Sequence, residues 1–358
     1  MKRIIVFFVF ILLFKGYGFS DSWVEKPDID FYAHPLIENK GNVKKVFTGK
    51  VIIQNNLKKV KVNGKTMDIG DENLYEYRAG DRVICEINGR VSILDYNRSF
   101  WIFFTVGLFV IGVLILNFKK GFLSVFSLFF GLFIFVFFFL NFTERGFSPL
   151  LTSGFSVVLI TAITLFSISG KFKKGISAFL GAIGGIFFGV LFAYFFLKKG
   201  HVWGFAREQI QLLNYLIKNF SIPLKSVKGI VLSGILIGTA GVVMDVAISI
   251  SSSLYEFFLE NNKISSKKLF FYGMNIGRDI ISTMANSLLF AYAGSSFFYV
   301  FAVSFQGYSL MQILNSEGFF FIFVEIFSGT SAIVVTVFLT VVFSSLIIPK
   351  RSYKIQNA

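Results

Sequence analysis

From residue 100 onward the chain alternates long apolar runs with short basic loops. Residues 100–118, 121–142, 149–170 and 175–197 hold no charged side chain, and each is about as long as the ~20 residues a helix needs to cross a bilayer core. Residues 229–255 carry one charge, Asp245; residues 269–293 carry Arg278 and Asp279; residues 326–349 carry none. The pattern predicts about seven transmembrane helices within a helical domain at 99–349. Residues 295–313 are apolar but short and interrupted by Gln306 and Gly307, which suits a re-entrant or peripheral helix as well as a span. Residues 203–220 place Leu212, Leu213, Leu216 and Ile217 on one face, the pattern of a helix lying in the interface.

Ahead of the spans the period changes. Residues 46–53, 59–62 and 82–87 alternate apolar and polar positions, with Asn63-Gly64 and Asn88-Gly89 as turns. Asn-Gly between alternating runs is a strong hairpin signal, because both residues tolerate positive φ. A small all-β domain is expected over 43–98, a barrel or sandwich near the size at which a lone domain is marginal. Residues 21–42, with Pro27, Pro35 and Gly41, read as a linker. Residues 1–20 pair Lys2 and Arg3 with an apolar stretch and small residues at Gly18 and Ser20, the pattern of a signal peptide or an uncleaved anchor. Either would export the β-domain.

Composition agrees with a membrane protein: 54% of the 358 residues are hydrophobic and 15% charged, against about 25% charged in soluble domains. The formal charge of +15 does not gather into a patch with interleaved aromatics, so nucleic acid is excluded as a partner. It lies instead in loops: Lys119 and Lys120; Lys171, Lys173 and Lys174; Lys263, Lys267 and Lys268; and the tail 350–358 with Lys350, Arg351 and Lys354. With the β-domain outside, seven crossings put all four groups in the cytoplasm, as the positive-inside rule requires. Lys198, Lys199 and Arg207 fall outside. The expected location is a bacterial inner membrane, with an extracytoplasmic β-domain and a cytoplasmic C-terminus. One cysteine, Cys85, permits no internal disulfide, and the two histidines, His34 and His201, have no neighbours at metal-ligand spacing. No metal and no cofactor are expected.

The candidate chemistry sits on two successive spans. Asp245, Ser249 and Ser252 share one helical face by steps of four and three. On the next span Asn275, Arg278, Asp279, Ser282, Thr283 and Asn286 form a single polar sector. An ionised aspartate at mid-membrane costs about 2.5–3.5 kcal/mol on insertion scales, so these groups are expected to face the bundle interior, with Arg278 pairing with Asp245 or shared by both acids. The alternative is that they are interhelical glue, since Ser, Thr and Asn hydrogen-bond across helices. Gly181, Gly185 and Gly189, then Gly234, Gly238 and Gly241, and Gly277, mark faces where backbones can approach closely.

The stretch Gly241-Val-Val-Met-Asp-Val-Ala-Ile-Ser-Ile-Ser-Ser-Ser-Leu-Tyr-Glu256, together with Gly273-Met-Asn-Ile-Gly-Arg-Asp-Ile-Ile-Ser-Thr-Met-Ala-Asn-Ser-Leu-Leu-Phe-Ala-Tyr-Ala-Gly294, closely resembles the YibE/F-like family of bacterial multi-pass membrane proteins. The exported β-domain ending at Asp95-Tyr96-Asn97-Arg98 is also similar to the family's. Ser282 stands where the family pattern has glycine before Thr-Met, and no proline comes after Gly294-Ser-Ser. The resemblance implies a membrane protein and transfers no functional residue.

The residues are compatible with three functions. Glycine-rich paired helices with intramembrane charges suit a transporter or permease for a small ion or solute. A non-catalytic scaffold or accessory subunit would use the β-domain to bind an extracytoplasmic partner, and a membrane-protein partner or a second copy fits either reading. An intramembrane aspartyl protease would use Asp245 and Asp279, but Arg278 beside Asp279 would hold both acids ionised when a dyad must share a proton. No phosphate loop, HExxH or Ser-His-Asp arrangement is present.

Overall fold

The computed structural model of the chain describes residues 46–54, 57–62, 65–69, 77–88, 90–116, 118–202, 225–261, 263–305 and 307–349. The expected signal segment, the linker, the interfacial helix at 203–220 and the basic tail lie outside these residues. The chain divides into two compact units, residues 1–118 and 119–358, so the first apolar helix groups with the β-strands and not with the later helices.

In the first unit, strands β1 (Val46–Gln54), β2 (Leu57–Val62), β3 (Lys65–Asp68), β4 (Arg82–Asn88) and β5 (Arg90–Tyr96) form one antiparallel sheet in the order β3-β2-β1-β4-β5. Val62 pairs with Lys65 across the Asn63-Gly64 position and Gln54 with Leu57 across another two-residue loop, the tight connection that right-twisted hairpins favour. Both edge strands, β3 and β5, come near each other, so the sheet curls toward a barrel without its edges hydrogen-bonding.

The concave side buries Val51, Val60, Val62, Tyr77, Val83, Cys85 and Ile93. Gly49 permits the curl, because a Cβ there would overlap Val60 and crowd Val62 and Cys85. Burial pushes the Cys85 thiol above its usual range, and its Sγ donates to the Phe47 carbonyl at 3.4 Å. Such a thiol is a small core hydrophobe and an unreactive one. Helix α1 (Ser99–Leu116) begins directly after the Arg98–Asp95 ion pair, 2.7 Å.

The second unit is helical. α2 (Phe118–Phe133) continues without a break through a π-helical stretch, Ile134–Leu140, and a final turn, Asn141–Glu144. α3 (Pro149–Ser169) starts on Pro149, whose missing N–H costs nothing in a first turn, and stops at Gly170 with φ 63°. α4 (Phe172–Lys199) ends in a Schellman arrangement: the Val202 N–H donates to the Leu197 carbonyl at 3.0 Å and the His201 N–H to the Lys198 carbonyl at 3.4 Å. His201 takes the left-handed position, φ 54°, that glycine usually fills.

α5 (Lys225–Glu260) and α6 (Ser266–Ser295) form the antiparallel pair that carries the candidate residues. Two short helices come next, α7 (Phe297–Ser304) and α8 (Leu310–Leu314), separated by a turn with Gly307 at φ 71°. Eight residues rise only about 12 Å, so neither half of 295–313 crosses a bilayer core of ~30 Å. α9 (Glu317–Ile347) begins nine residues earlier than the uncharged run at 326 suggests. Ser316 caps it by accepting from the Phe319 N–H at 3.3 Å, Glu317 complements the helix dipole, and the apolar residues 319–324 carry the helix past Glu325. At its other end Lys173 Nζ donates to the buried Ile348 carbonyl at 2.6 Å, a cation at a helix C-terminus.

Five stretches are long and apolar enough to span a membrane: Gly121–Thr143, Pro149–Ser169, Phe172–Lys199, Lys228–Glu260 and Glu317–Ile347. α1 is apolar but shorter, and α6, at 30 residues, is long enough but more polar. Large apolar side chains face outward over much of these helices, including Phe187, Phe155 and Phe338, a surface that only lipid could solvate over such an area.

Candidate functional site

Packing in the second unit centres on α9, which lies against α4, α5 and α6, while α5 also lies against α3 and α4. The tightest seam is α4 on α9. Gly181, Gly185 and Gly189 face the row Ser328, Ala332, Thr336, Thr340 and Ser344, five residues at steps of four that are all fully buried. A Cβ on Gly181 would overlap Thr340, one on Gly185 would overlap Thr336, and one on Gly189 would lie 2.9 Å from the Ala332 Cβ. Close backbone approach of this kind drives association in lipid, where burial of apolar area offers little. Thr336 Oγ1 donates to the Ala332 carbonyl at 2.7 Å. Among the described residues the hydroxyls of Thr161, Thr239, Thr340 and Ser344 are buried without a hydrogen-bond partner; that of Thr340 lies against the Gly181 backbone, where a weak C–H contact is what remains to it.

Other small polar residues join helices as glue. Ser153 of α3 donates to Ser233 of α5 at 2.9 Å; Ser177 of α4 and Ser251 of α5 share a hydrogen bond of 2.8 Å, and Ser251 also reaches the Lys174 carbonyl at 2.7 Å. The stripe expected from steps of four and three selects Ser249 and Ser252. The serine turned inward is Ser251, one position away from Ser252 and on the opposite flank of α5.

The candidate stripe itself is outside the packed core. Asp245 and Ser249 of α5 are exposed and Ser252 is half-buried; on α6, Asn275, Arg278, Asp279, Ser282, Thr283 and Asn286 are all exposed. The opposite face of α6 packs through Leu269, Gly273, Gly277 and Leu288. A Cβ on Gly277 would overlap Val337 of α9, and one on Gly273 would lie 2.9 Å from both Leu254 and Val341. The sector therefore faces away from the bundle interior, contrary to the expectation from its cost in lipid.

The hydroxyls of this sector turn back on their own helices: Ser249 donates to the Asp245 carbonyl at 2.7 Å, Ser282 to the Arg278 carbonyl at 3.1 Å and Thr283 to the Asp279 carbonyl at 3.1 Å. Such bonds satisfy the hydroxyl without joining helices. Arg278 Nη1 donates to Asn275 Oδ1 at 3.4 Å. Among the described residues Asp245, Asp279 and Asn286 have no side-chain partner, and no ion pair joins Asp245 to Arg278.

The helix register explains the missing pair. Phe257 of α5 stacks on Tyr272 of α6 at 3.7 Å, Leu254 lies beside Gly273, and Tyr292 reaches Gly238. Asp245 is thereby level with the Thr283 turn of α6, and Arg278 lies about five residues away, roughly 8 Å along the axis. Two of the glycines expected to pack also lie on open surface: nothing comes within 4 Å of where a Cβ would sit on Gly234 or Gly241. Gly238 differs from them only because Tyr292 covers it.

Sequence reading missed Glu325, which α9 carries inside its span, and the glue residues Ser153, Ser177, Ser233 and Ser251. The first is visible once the helix is extended to its Ser316 cap; for the serines nothing in the spacing separates inward from outward hydroxyls. No group of three or more His, Cys, Asp or Glu side chains that could hold a metal occurs among the described residues.

The model of the YibE/F-like protein family matches residues 105–350. The match begins inside α1, so the strands ending at Asp95–Arg98 are not part of it. No curated protein and no solved structure matches the chain.

Proposed function

This chain belongs to the YibE/F-like family, by a match over well over half its length, and is a polytopic membrane protein; from that premise we propose that it is a transporter or permease whose polar path runs along the open faces of α5 and α6. The observation that carries the proposal is the split character of α6. One side of this helix packs on α9 through glycines, while the other exposes Arg278, Asp279, Asn275 and Asn286 with no described helix of the second unit over them. Lipid cannot solvate such a side, whereas water or a polar solute can.

In this reading α1, which is apolar but short, and α6, which is long but polar, cross the bilayer with the five candidate spans, giving seven crossings. The β-domain is then extracytoplasmic, and the basic loops around Lys119, Lys173 and Lys268 are cytoplasmic together with the C-terminus. The membrane is the inner membrane of a bacterium. The solute is a small ion or polar metabolite held by carboxylate, amide and hydroxyl oxygens, with Arg278 able to receive an anionic group. A scaffold acting through the β-domain draws less support, because the split face that carries the transport reading lies on α6 and not on the strands. A protease is also disfavoured, because Asp245 and Asp279 are staggered by about a turn and a dyad must share one proton.

Flux measured in liposomes across a panel of ions and small metabolites tests the reading. Asp279→Asn and Asn286→Ala should abolish flux while folded yield and melting in detergent stay near those of the parent protein. A set of variants whose flux merely tracked folded yield would sink the site and leave the glue reading. For orientation, with Cys85 first replaced, a membrane-impermeant thiol reagent outside the cell should label Asn63→Cys and miss Lys268→Cys; labelling at 268 overturns every one of these side assignments.

A further inference from the structure

We infer that the open sector of α6 is covered by α6 of a second copy of this chain, packed about a two-fold axis along the membrane normal, so that Arg278 of each copy meets Asp279 of the other. The inference rests on α6 crossing the membrane, as in the seven-crossing topology, and does not depend on transport.

At about 100° per residue, Asn275, Ser282 and Asn286 fall within roughly 20° of one line down α6. Arg278 lies roughly 60° to one flank of that line and Asp279 roughly 40° to the other. Two copies inserted with the same topology have parallel α6 helices, and an axis that relates them by rotation runs along those helices. In a parallel pair the left flank of one helix faces the right flank of its partner, the relation that joins the e and g positions of a parallel coiled coil.

Arg278 and Asp279, adjacent in sequence and so nearly level, then face each other twice across the axis. The charges are self-complementary. Among the described residues of one chain neither finds an opposite charge: Arg278 reaches Asn275, at 3.4 Å, and Asp279 forms no ion pair. Lipid or an apolar helix over this sector would strand all of these groups, whereas a second α6 satisfies them without any further residue type. Asn275, Ser282 and Asn286 would lie on the axis, where small polar side chains hydrogen-bond between helices. The second copy takes up the α6 residues first given to the path, so in the dimer the path keeps the open face of α5 with Asp245 and Ser249, and Asp279 and Asn286 border it from the interface.

The test uses the full chain in membranes, with Cys85 replaced by Ser. Ser282→Cys should form an interchain disulfide under mild oxidation, while Met284→Cys, on the packed side of α6, should not. By single-molecule photobleaching in diluted lipid, Arg278→Asp should weaken the dimer about tenfold, because it sets like charges against each other. The double reversal Arg278→Asp with Asp279→Arg should restore the dimer, since the flanks simply exchange signs. A monomeric parent protein, a Ser282→Cys cross-link to a different membrane protein, or a double reversal that folds but stays monomeric would each overturn the inference. A dimer without flux would sink the transport reading alone, and flux from a monomer would sink this one alone.

Discussion

The α4–α9 seam and the open face of α5 and α6 are built from the same small vocabulary of glycine, serine and threonine, yet they do opposite things. In the seam, Gly181 and Gly185 receive Thr340 and Thr336 so closely that no Cβ fits, and no ionisable group is present. On the open face, Gly234 and Gly241 meet nothing, and glycine and serine alternate with Asp245, Arg278, Asp279 and two asparagines. Small residues in a membrane helix are therefore permissive. They become packing residues only where a facing helix supplies side chains that fill the space. What separates the two regions is charge: uncharged hydroxyls can be buried at modest cost, and ionised groups cannot.

The widest predicted contrast between the two regions is steric. Gly181→Leu should destabilise the helical unit by about 3 kcal/mol or more, because the added side chain has to displace the α9 backbone at Thr340. Gly241→Leu should stay within about 0.5 kcal/mol of the parent protein. Thermal melting of both variants in detergent measures the difference, and equal losses would mean that the open face is packed by something in the same chain.

A smaller contrast lies in the serines of α5. Ser251→Ala removes the hydrogen bonds to Ser177 and the Lys174 carbonyl and should cost about 1 kcal/mol. Ser249→Ala removes only a bond to its own helix and should leave melting unchanged. If Ser249→Ala proved the more damaging, the inward and outward faces of α5 would have to be exchanged.

The finest contrast concerns sign. Thr340→Val replaces a buried hydroxyl that has no partner by a methyl of similar size, and should be neutral or stabilising by up to about 1 kcal/mol in the same melting assay. Thr336→Val removes a hydroxyl that is bonded to the Ala332 carbonyl and should gain less. A clear loss at Thr340 would show that its hydroxyl has a partner, such as a bound water.

By itself the sequence determined much of this protein. Runs of ~20 apolar residues are a direct consequence of bilayer thickness, so the spans at 121–142, 149–170 and 175–197 reappear with shifted ends. Alternation and Asn-Gly turns were enough to place β1, β2 and β4, since a strand's period is local. The polar sector of α6 was equally legible, because the angle of a residue about its own helix depends only on spacing.

What spacing cannot supply is the direction each face points. In water a polar face turns outward and an apolar one inward, but a membrane helix is apolar toward lipid and toward its neighbours alike, so the pattern does not say which side packs. Only the tertiary structure decided that Ser251 and not Ser252 joins α4, that Gly181 is filled and Gly241 open, and that Asp245 stands level with Thr283 instead of Arg278. Each of these depends on the axial register and rotation of two helices against one another, which is set by the contacts of both chain segments at once.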